Sequence, residues 1–442
     1  MPGPKLEAVA GASELPPRAD VVVVGGGIIG TTTALELAER GLEVVLCEKG
    51  MIAGEQSSRN WGWVRLTGRD PREIDLMIHS IRLWEGLGER VGAEVGYRQC
   101  GIVVPFFDDA IRDANEEWLP HVEGRQTRTG IVDAATIERL MPGLAVPYSG
   151  GVFAPRDGRA EPQLAAPAVA RAAIARGVTV LTGCAVRRID LSGGAVSGVV
   201  TERGRVAAPR VVVAGGAWSR LLLRGAGVAL PQLKVINTVM RTTPVPDGPD
   251  ITVRGLDFAV RKRADGGYTI STLATNRYEL TPDTFRFFAP FLPALRREWR
   301  HLSLALGARF MTEWRENGYR GEGVSPFETT RILDPDPDTR MADRAFAAAK
   351  AVIPALRNAE TAQRWAGMMD VTPDAVPVIS PVANRPGLVV ATGFSGHGFG
   401  LGPGAGRLTA DLVSGDAPVV DPTPFRLSRF SDGSPIVPLS GL

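Results

Sequence analysis

The arrangement that most constrains this chain lies near its start. Residues 19–24 hold four consecutive valines, the pattern of a parallel strand buried on both faces. Gly25-Gly26-Gly27-Ile28-Ile29-Gly30 follows directly. Residues 31–40 then carry helical spacing, with Ala34, Leu35 and Ala38 on one face, and Gly41 stops the helix. Residues 42–47 form a second apolar run that ends at Glu48. Strand, glycine turn, helix and strand together span about 30 residues, the size of a dinucleotide-binding βαβ unit. In such a unit Gly25 permits the tight turn, Gly27 lets backbone approach a pyrophosphate, and Gly30 lets helix and strand pack closely. The helix N-terminus adds partial positive charge. Glu48 lies 18 residues past Gly30, where a carboxylate accepts hydrogen bonds from ribose hydroxyls and repels a 2′-phosphate. The pattern therefore disfavours NADP and leaves FAD and NAD open.

The remaining composition narrows the function classes. With 50 Lys and Arg against 48 Asp and Glu, the net charge is +2, so a polyanion binder is not expected and no nucleic-acid partner is implied. Cys47, Cys100 and Cys184 are too few and too scattered for a disulfide framework or a thiolate metal site. His79, His121, His301 and His397 show no metal-ligand spacing, so no metal is expected. No apolar run reaches transmembrane length, and residues 1–18 lack the apolar core of a signal peptide. A disordered lead and a cytoplasmic, reducing location are the expectations.

Further along, helices are expected over residues 71–90, 162–176, 282–306, 343–353 and 403–412, and over parts of 111–144. Buried strands are expected at 101–107, 179–181, 210–214 and 388–391, and a strand pair at 185–190 and 195–201. Residues 233–242, 258–263 and 267–272 alternate, with a hairpin turn at 264–267. Late buried strands that resemble the early ones imply one α/β domain assembled from discontinuous pieces, with an antiparallel-sheet domain between them.

Four further segments occur in a telling order: Gln56-Ser-Ser-Arg-Asn-Trp-Gly62; Gly215-Gly-Ala-Trp218; Trp365-Ala-Gly-Met-Met-Asp-Val-Thr-Pro-Asp374; and Gly393-Phe-Ser-Gly-His-Gly-Phe399. In this order the chain resembles the FAD-dependent D-amino acid oxidase and dehydrogenase family, which includes glycine oxidase and monomeric sarcosine oxidase. The resemblance runs from about residue 20 to 430. It implies a discontinuous Rossmann-like FAD-binding domain of the glutathione-reductase type (residues 19–95, 153–230 and 364–430). An antiparallel-sheet substrate domain (96–152 and 231–363) and a C-terminal tail (431–442) complete the expected layout.

The resemblance also implies residue roles. Gly25, Gly27, Ile28, Ile29 and Gly30 would cradle the FAD pyrophosphate. Glu48 would hold the adenosine ribose with Lys49 beside it, and Val186 would face adenine. Ser57, Ser58 and Arg59 would follow the diphosphate toward the flavin, with Gly215 and Trp218 also at the cofactor. Gly393, Gly396, His397, Gly398, Phe399 and Gly400 would line the flavin ring. Candidate catalytic residues are His397, Arg65 and Trp63: Arg65 as a substrate-carboxylate ligand, and Trp63 with Trp61 as an aromatic wall. Arg261, Lys262 and Arg263 are expected on a solvated face. Arg296, Arg297 and Arg300 share one face of an aromatic, basic helix, which leaves a peripheral membrane contact or an oligomer open.

Some positions depart from the family. Met369 and Gly400 stand where relatives place a carboxylate-binding cation. Gly367 stands at the covalent-flavin cysteine, so FAD is expected to be held non-covalently. Thr269 stands at the oxygen-activating lysine, so oxygen, a quinone and a partner protein all stay open as electron acceptor. The expected function is oxidation of the C–N bond of an amino acid or secondary amine, by hydride transfer to flavin N5 and hydrolysis of the resulting imine. The alternatives are a 2-hydroxy-acid dehydrogenase on the same fold and the FAD subunit of a hetero-oligomeric amino-acid or opine dehydrogenase.

Overall fold

The structure is a computed structural model, and it describes residues 3–273 and 275–439. Its first sheet is built around β1 (Val21–Val24), which leads through helix α1 (Ile28–Glu39) into β2 (Val44–Cys47). The spatial order is Val378–Pro381, Leu388–Thr392, Arg210–Val213, β1, β2, Thr179–Leu181. All pairings are parallel except the outermost, Val378–Pro381 on Leu388–Thr392. The chain leaves β1 toward β2 on one side and returns with Arg210–Val213 on the other. That reversal opens a crevice at the carboxyl end of β1.

The valine run faces two cores because side chains alternate along a strand. Val21 and Val23 pack with Ala34, Leu35, Leu401 and Leu408 in a helical layer. Val22 and Val24 pack with Ile189, Val199 and Val206 of a three-stranded sheet. Burying each valine contributes about 1.5–3 kcal/mol, and no surface is left for polar alternation.

The late glycine-rich segment is helical from Gly398 to Ser414, five residues earlier than expected. Glycine is a poor helix former, but here it permits helix crossing. A side chain on Gly402 would begin 2.6 Å from Ile28, and one on Gly406 would begin 2.3 Å from the Thr32 hydroxyl. Pro403 inside this helix removes a donor. Gly404 N–H, the helical donor to Gly400, turns to Ser80 Oγ (3.1 Å), and the carbonyl of Gly400 accepts from Ser80 Oγ (2.7 Å) and Trp84 Nε1 (2.9 Å), which fixes the motif on helix Ile74–Val91.

The second large sheet is mostly antiparallel and includes Leu233–Thr242, Phe258–Lys262 and Tyr268–Thr272, with the expected turn between the last two. Its longest strand, Thr361–Val371, was not expected. It pairs with Leu233–Thr242 from Leu233↔Val371 to Thr242↔Thr361 and carries the tryptophan motif into the cleft. Two other expectations are corrected. Residues 282–306 are not one helix: Pro282–Arg286 and Phe288–Glu298 are helical, but Leu302–Ala305 is a strand paired with Asn276–Glu279. Gly130–Val132, within the stretch read as helices and loops, is a strand on Gly151–Ala154. Both are short strands that exist only through their partners.

Residues 3–18 of the lead lie along the body of the fold. Ala12 N–H donates to Val180 O at 2.7 Å, Ala207 N–H donates to Pro17 O at 3.0 Å, and Leu6 and Val9 pack on the helical core. These partners are sheet edges and apolar side chains far along the chain. No helix among the described residues is long and apolar enough to cross a membrane. Arg296, Arg297 and Arg300 are exposed, as are Phe285, Phe288 and Trp299.

Candidate active site

One cleft runs from the carboxyl end of β1 to the second sheet. Its nucleotide end is lined by Gly25, Gly27, Ile28, Ile29, Glu48, Lys49, Ser57, Arg59, Val186, Gly215 and Trp218. Its far end is lined by Trp61, Trp63, Arg65, Met369, Gly396, His397, Gly398, Phe399 and Gly400. Gly30, Ser58 and Gly393 stand behind the wall. A side chain on Gly30 would begin 1.9 Å from the Gly25 carbonyl, so Gly30 serves packing of α1 on the turn. Ser58 Oγ donates to Glu55 O at 3.2 Å. Gly393 turns with φ +74°, and its N–H donates to Asp370 Oδ2 at 2.6 Å.

The nucleotide end fits a dinucleotide. Gly25 has φ +112°, and a side chain there would begin 2.3 Å from the Ala214 carbonyl. Gly27 has φ −75°, which any residue adopts, and the one atom near its absent side chain is Ser57 Oγ at 2.9 Å. Its bareness therefore keeps the cradle open. Ser57 Oγ also accepts from Ile28 N–H at 2.8 Å, at the positive end of α1. The Glu48 carboxylate accepts from Gly26 and Gly50 N–H, both at 2.7 Å, and burial pushes its pKa up. Two cations are committed to protein partners. Lys49 Nζ contacts Glu55 (2.6 Å) and the carbonyls of Thr330 and Arg331, and lies 4.6 Å from the Trp218 ring centroid. Arg59 pairs with Asp334 and donates to Ala366 O.

At the far end His397 is buried, with Nδ1 3.0 Å from the Glu73 carboxylate. Burial lowers its pKa, outweighing the attraction of Glu73. The imidazole is therefore neutral near pH 7, and the unfolded chain takes up a proton more readily than the folded one. That contribution to stability is complete above the ordinary value of 6.5 and is lost as pH falls below it. His397→Asn should flatten the fall in thermal midpoint between neutral pH and about pH 5.5. Parallel melting profiles of the two proteins would assign that slope to other groups.

Trp61 and Trp63 meet edge to face, with centroids 5.4 Å apart. Trp61 Nε1 donates to Asn237 at 3.1 Å, whereas Trp63 Nε1 is buried with no hydrogen-bond partner among the described residues. Arg65 lines the cleft, its Nη1 donating to Thr67 O. Arg261 corrects the expectation of a solvated face. It is 1% exposed, donates to Trp61 O (2.6 Å) and Glu161 Oε1 (2.7 Å), and so supports the tryptophan wall from behind. Sequence reasoning missed Arg69, Arg254 and Asp370, which also line the cleft. Only Asp370 carried a local signal, its place inside the tryptophan motif. Arg254 ends a three-residue strand, and register alone turns it inward.

Comparison with known proteins agrees with this geometry. The chain is 26% identical to sarcosine oxidase subunit beta of Rhizobium meliloti over 94% of its length and 89% of that protein's. It is 27% identical to glycine oxidase of Pseudomonas putida, covering 92% and 97% of the two chains. The solved L-amino acid deaminase of Proteus myxofaciens superposes with a TM-score of 0.93 at 33% identity, covering 97% and 98%. Residues 20–412 match the family described as FAD dependent oxidoreductase. A β1–α1 cradle kept bare at Gly27, a carboxylate at the cleft wall in Glu48 and this match over most of the chain place the protein in the FAD dependent oxidoreductase family, with FAD as its cofactor.

Proposed function

We propose that this enzyme oxidises the C–N bond of an amino acid or secondary amine, releasing an imine that water hydrolyses to a carbonyl compound. The observation that carries this reading is the far end of the cleft, where a cation and two tryptophans line the wall and the one histidine is held neutral. FAD, when bound, supplies the hydride acceptor at N5. The chain's own residues orient and desolvate the substrate. Trp61 and Trp63 form an apolar wall for the amine-bearing carbon, and Arg65 takes the carboxylate. His397, hydrogen-bonded to Glu73, keeps a fixed imidazole at the start of helix Gly398–Ser414. Oxidation of a neutral amine needs no strong base, which suits a site whose histidine is spent on Glu73. A hydroxy acid would need one to take its hydroxyl proton.

Anaerobic bleaching of the flavin band by a panel of D- and L-amino acids, N-methyl amino acids, amines and 2-hydroxy acids tests the reading. Bleaching by amino acids or amines is expected; bleaching by hydroxy acids alone would overturn it. Arg65→Met should raise KM for an amino acid by roughly ten- to a hundredfold, the equivalent of about 1.5–3 kcal/mol of charged hydrogen bonding. Steady-state kinetics with unchanged KM and kcat would place the carboxylate elsewhere.

A further inference from the structure

The far end of the cleft holds more positive charge than one carboxylate needs. Arg65, Arg69 and Arg254 all line it. Gly68, with φ +68°, lies between the first and last of these. A side chain on Gly68 would begin 3.1 Å from Arg254 Nη1 and 3.4 Å from Arg65 Nη1, so the two guanidinium groups flank a stretch of bare backbone. Their protein partners are few. Arg69 Nε donates to Arg65 O at 3.1 Å, and its Nη1, 3.8 Å from Glu73, has no hydrogen-bond partner among the described residues. Among the described residues, no hydrogen bond or ion pair holds Arg254, although its guanidinium has five donors, and burial lowers its pKa from an ordinary value far above neutral.

The nearby carboxylates do not balance this. Glu73 already holds His397 as well as facing Arg69. Asp157 is turned to the N–H groups of Leu66 and Thr67 and to the Thr67 hydroxyl. Like charges held this close in a part-buried wall repel unless anions come between them. A carboxylate held by Arg65 alone leaves Arg254 without a counter-ion.

We propose that the cleft takes an amino acid bearing a second carboxylate, and that Arg254, opposite Arg65 across Gly68, selects it. The proposal rests on the amino-acid reading above, but its anion subsite can be tested without turnover. The purified flavoprotein would be titrated calorimetrically with malonate, succinate and glutarate, and with monocarboxylates of equal length. At least one dicarboxylate should bind about 10- to 100-fold more tightly than its monocarboxylate counterpart. Arg254→Met should abolish that preference, and Arg254→Lys should retain part of it. In anaerobic reduction, Arg254→Met should raise the concentration of glutamate or aspartate that half-reduces the flavin by a similar factor, and by clearly more than it does for norvaline.

If the wild type does not distinguish the two acid series, the subsite is absent, even where amino acids bleach the flavin. If Arg254→Met weakens mono- and dicarboxylates equally, Arg254 shares one carboxylate with Arg65 and the second subsite is refuted. Dicarboxylate preference lost in Arg254→Met, in a protein whose flavin no amino acid reduces, would support the subsite and overturn the oxidation chemistry instead.

Discussion

Gly27→Val should yield a folded, colourless protein. The position tolerates a side chain conformationally, since φ is −75° and the one close atom is the end of the flexible Ser57 side chain. Neither β1 nor α1 has to move. The added methyl groups would instead occupy the cradle through which a pyrophosphate reaches the N-terminus of α1. The neighbouring glycines would not give so clean a result. Gly25 needs its positive φ, and Gly30 has the Gly25 carbonyl in the way, so substitution there damages the fold itself. The measurement is flavin per polypeptide after purification, with circular dichroism to establish folding. A yellow, stoichiometric Gly27→Val protein would refute the assignment of this cradle to FAD.

The largest loss of stability is expected at Arg261. Its guanidinium is enclosed by Glu161, the Trp61 carbonyl and the Thr269 hydroxyl, and Glu161 also accepts from Ala264 N–H at 2.8 Å. Arg261→Met strips the ion pair and leaves the Glu161 carboxylate, itself buried, without its cation. Breaking a buried pair on one side costs about 3–5 kcal/mol. Equilibrium denaturation should show that loss in the midpoint. Glu161→Gln should lose less, because an amide can still accept from the guanidinium and from Ala264 N–H. Trp61 hangs from Arg261 through its carbonyl, so a surviving Arg261→Met protein should also have altered tryptophan fluorescence. A loss below about 1 kcal/mol would mean that the pair is solvated in solution.

These two residues illustrate how legible the chain is. Gly27 can be understood within 30 residues of sequence, because turn, helix start and following strand are local and each constrains the next. Arg261 cannot. Its neighbours Lys262 and Arg263 make it look like part of a solvated basic stretch, and its counter-ion lies 100 positions away. The strand Thr361–Val371 was missed for a related reason. Its alternation is weak, and pairing with Leu233–Thr242 decides its conformation. The last helix is expected only from residue 403 because intrinsic propensity argues against helix over the glycines before it, whereas the close crossing over α1 requires glycine.

By itself the sequence determined the nucleotide end of the cleft: the buried valine strand, the glycine turn, α1 and the carboxylate of Glu48. Short-range sterics and side-chain periodicity suffice to specify such a unit. Tertiary structure alone decided the far end of the cleft. His397 finds Glu73 across 324 positions, and Arg65 finds Arg254 through the register of a three-residue strand. The physical reason is that charge and burial depend on what lies nearby in space, and strand register, which no local pattern specifies, sets those neighbours.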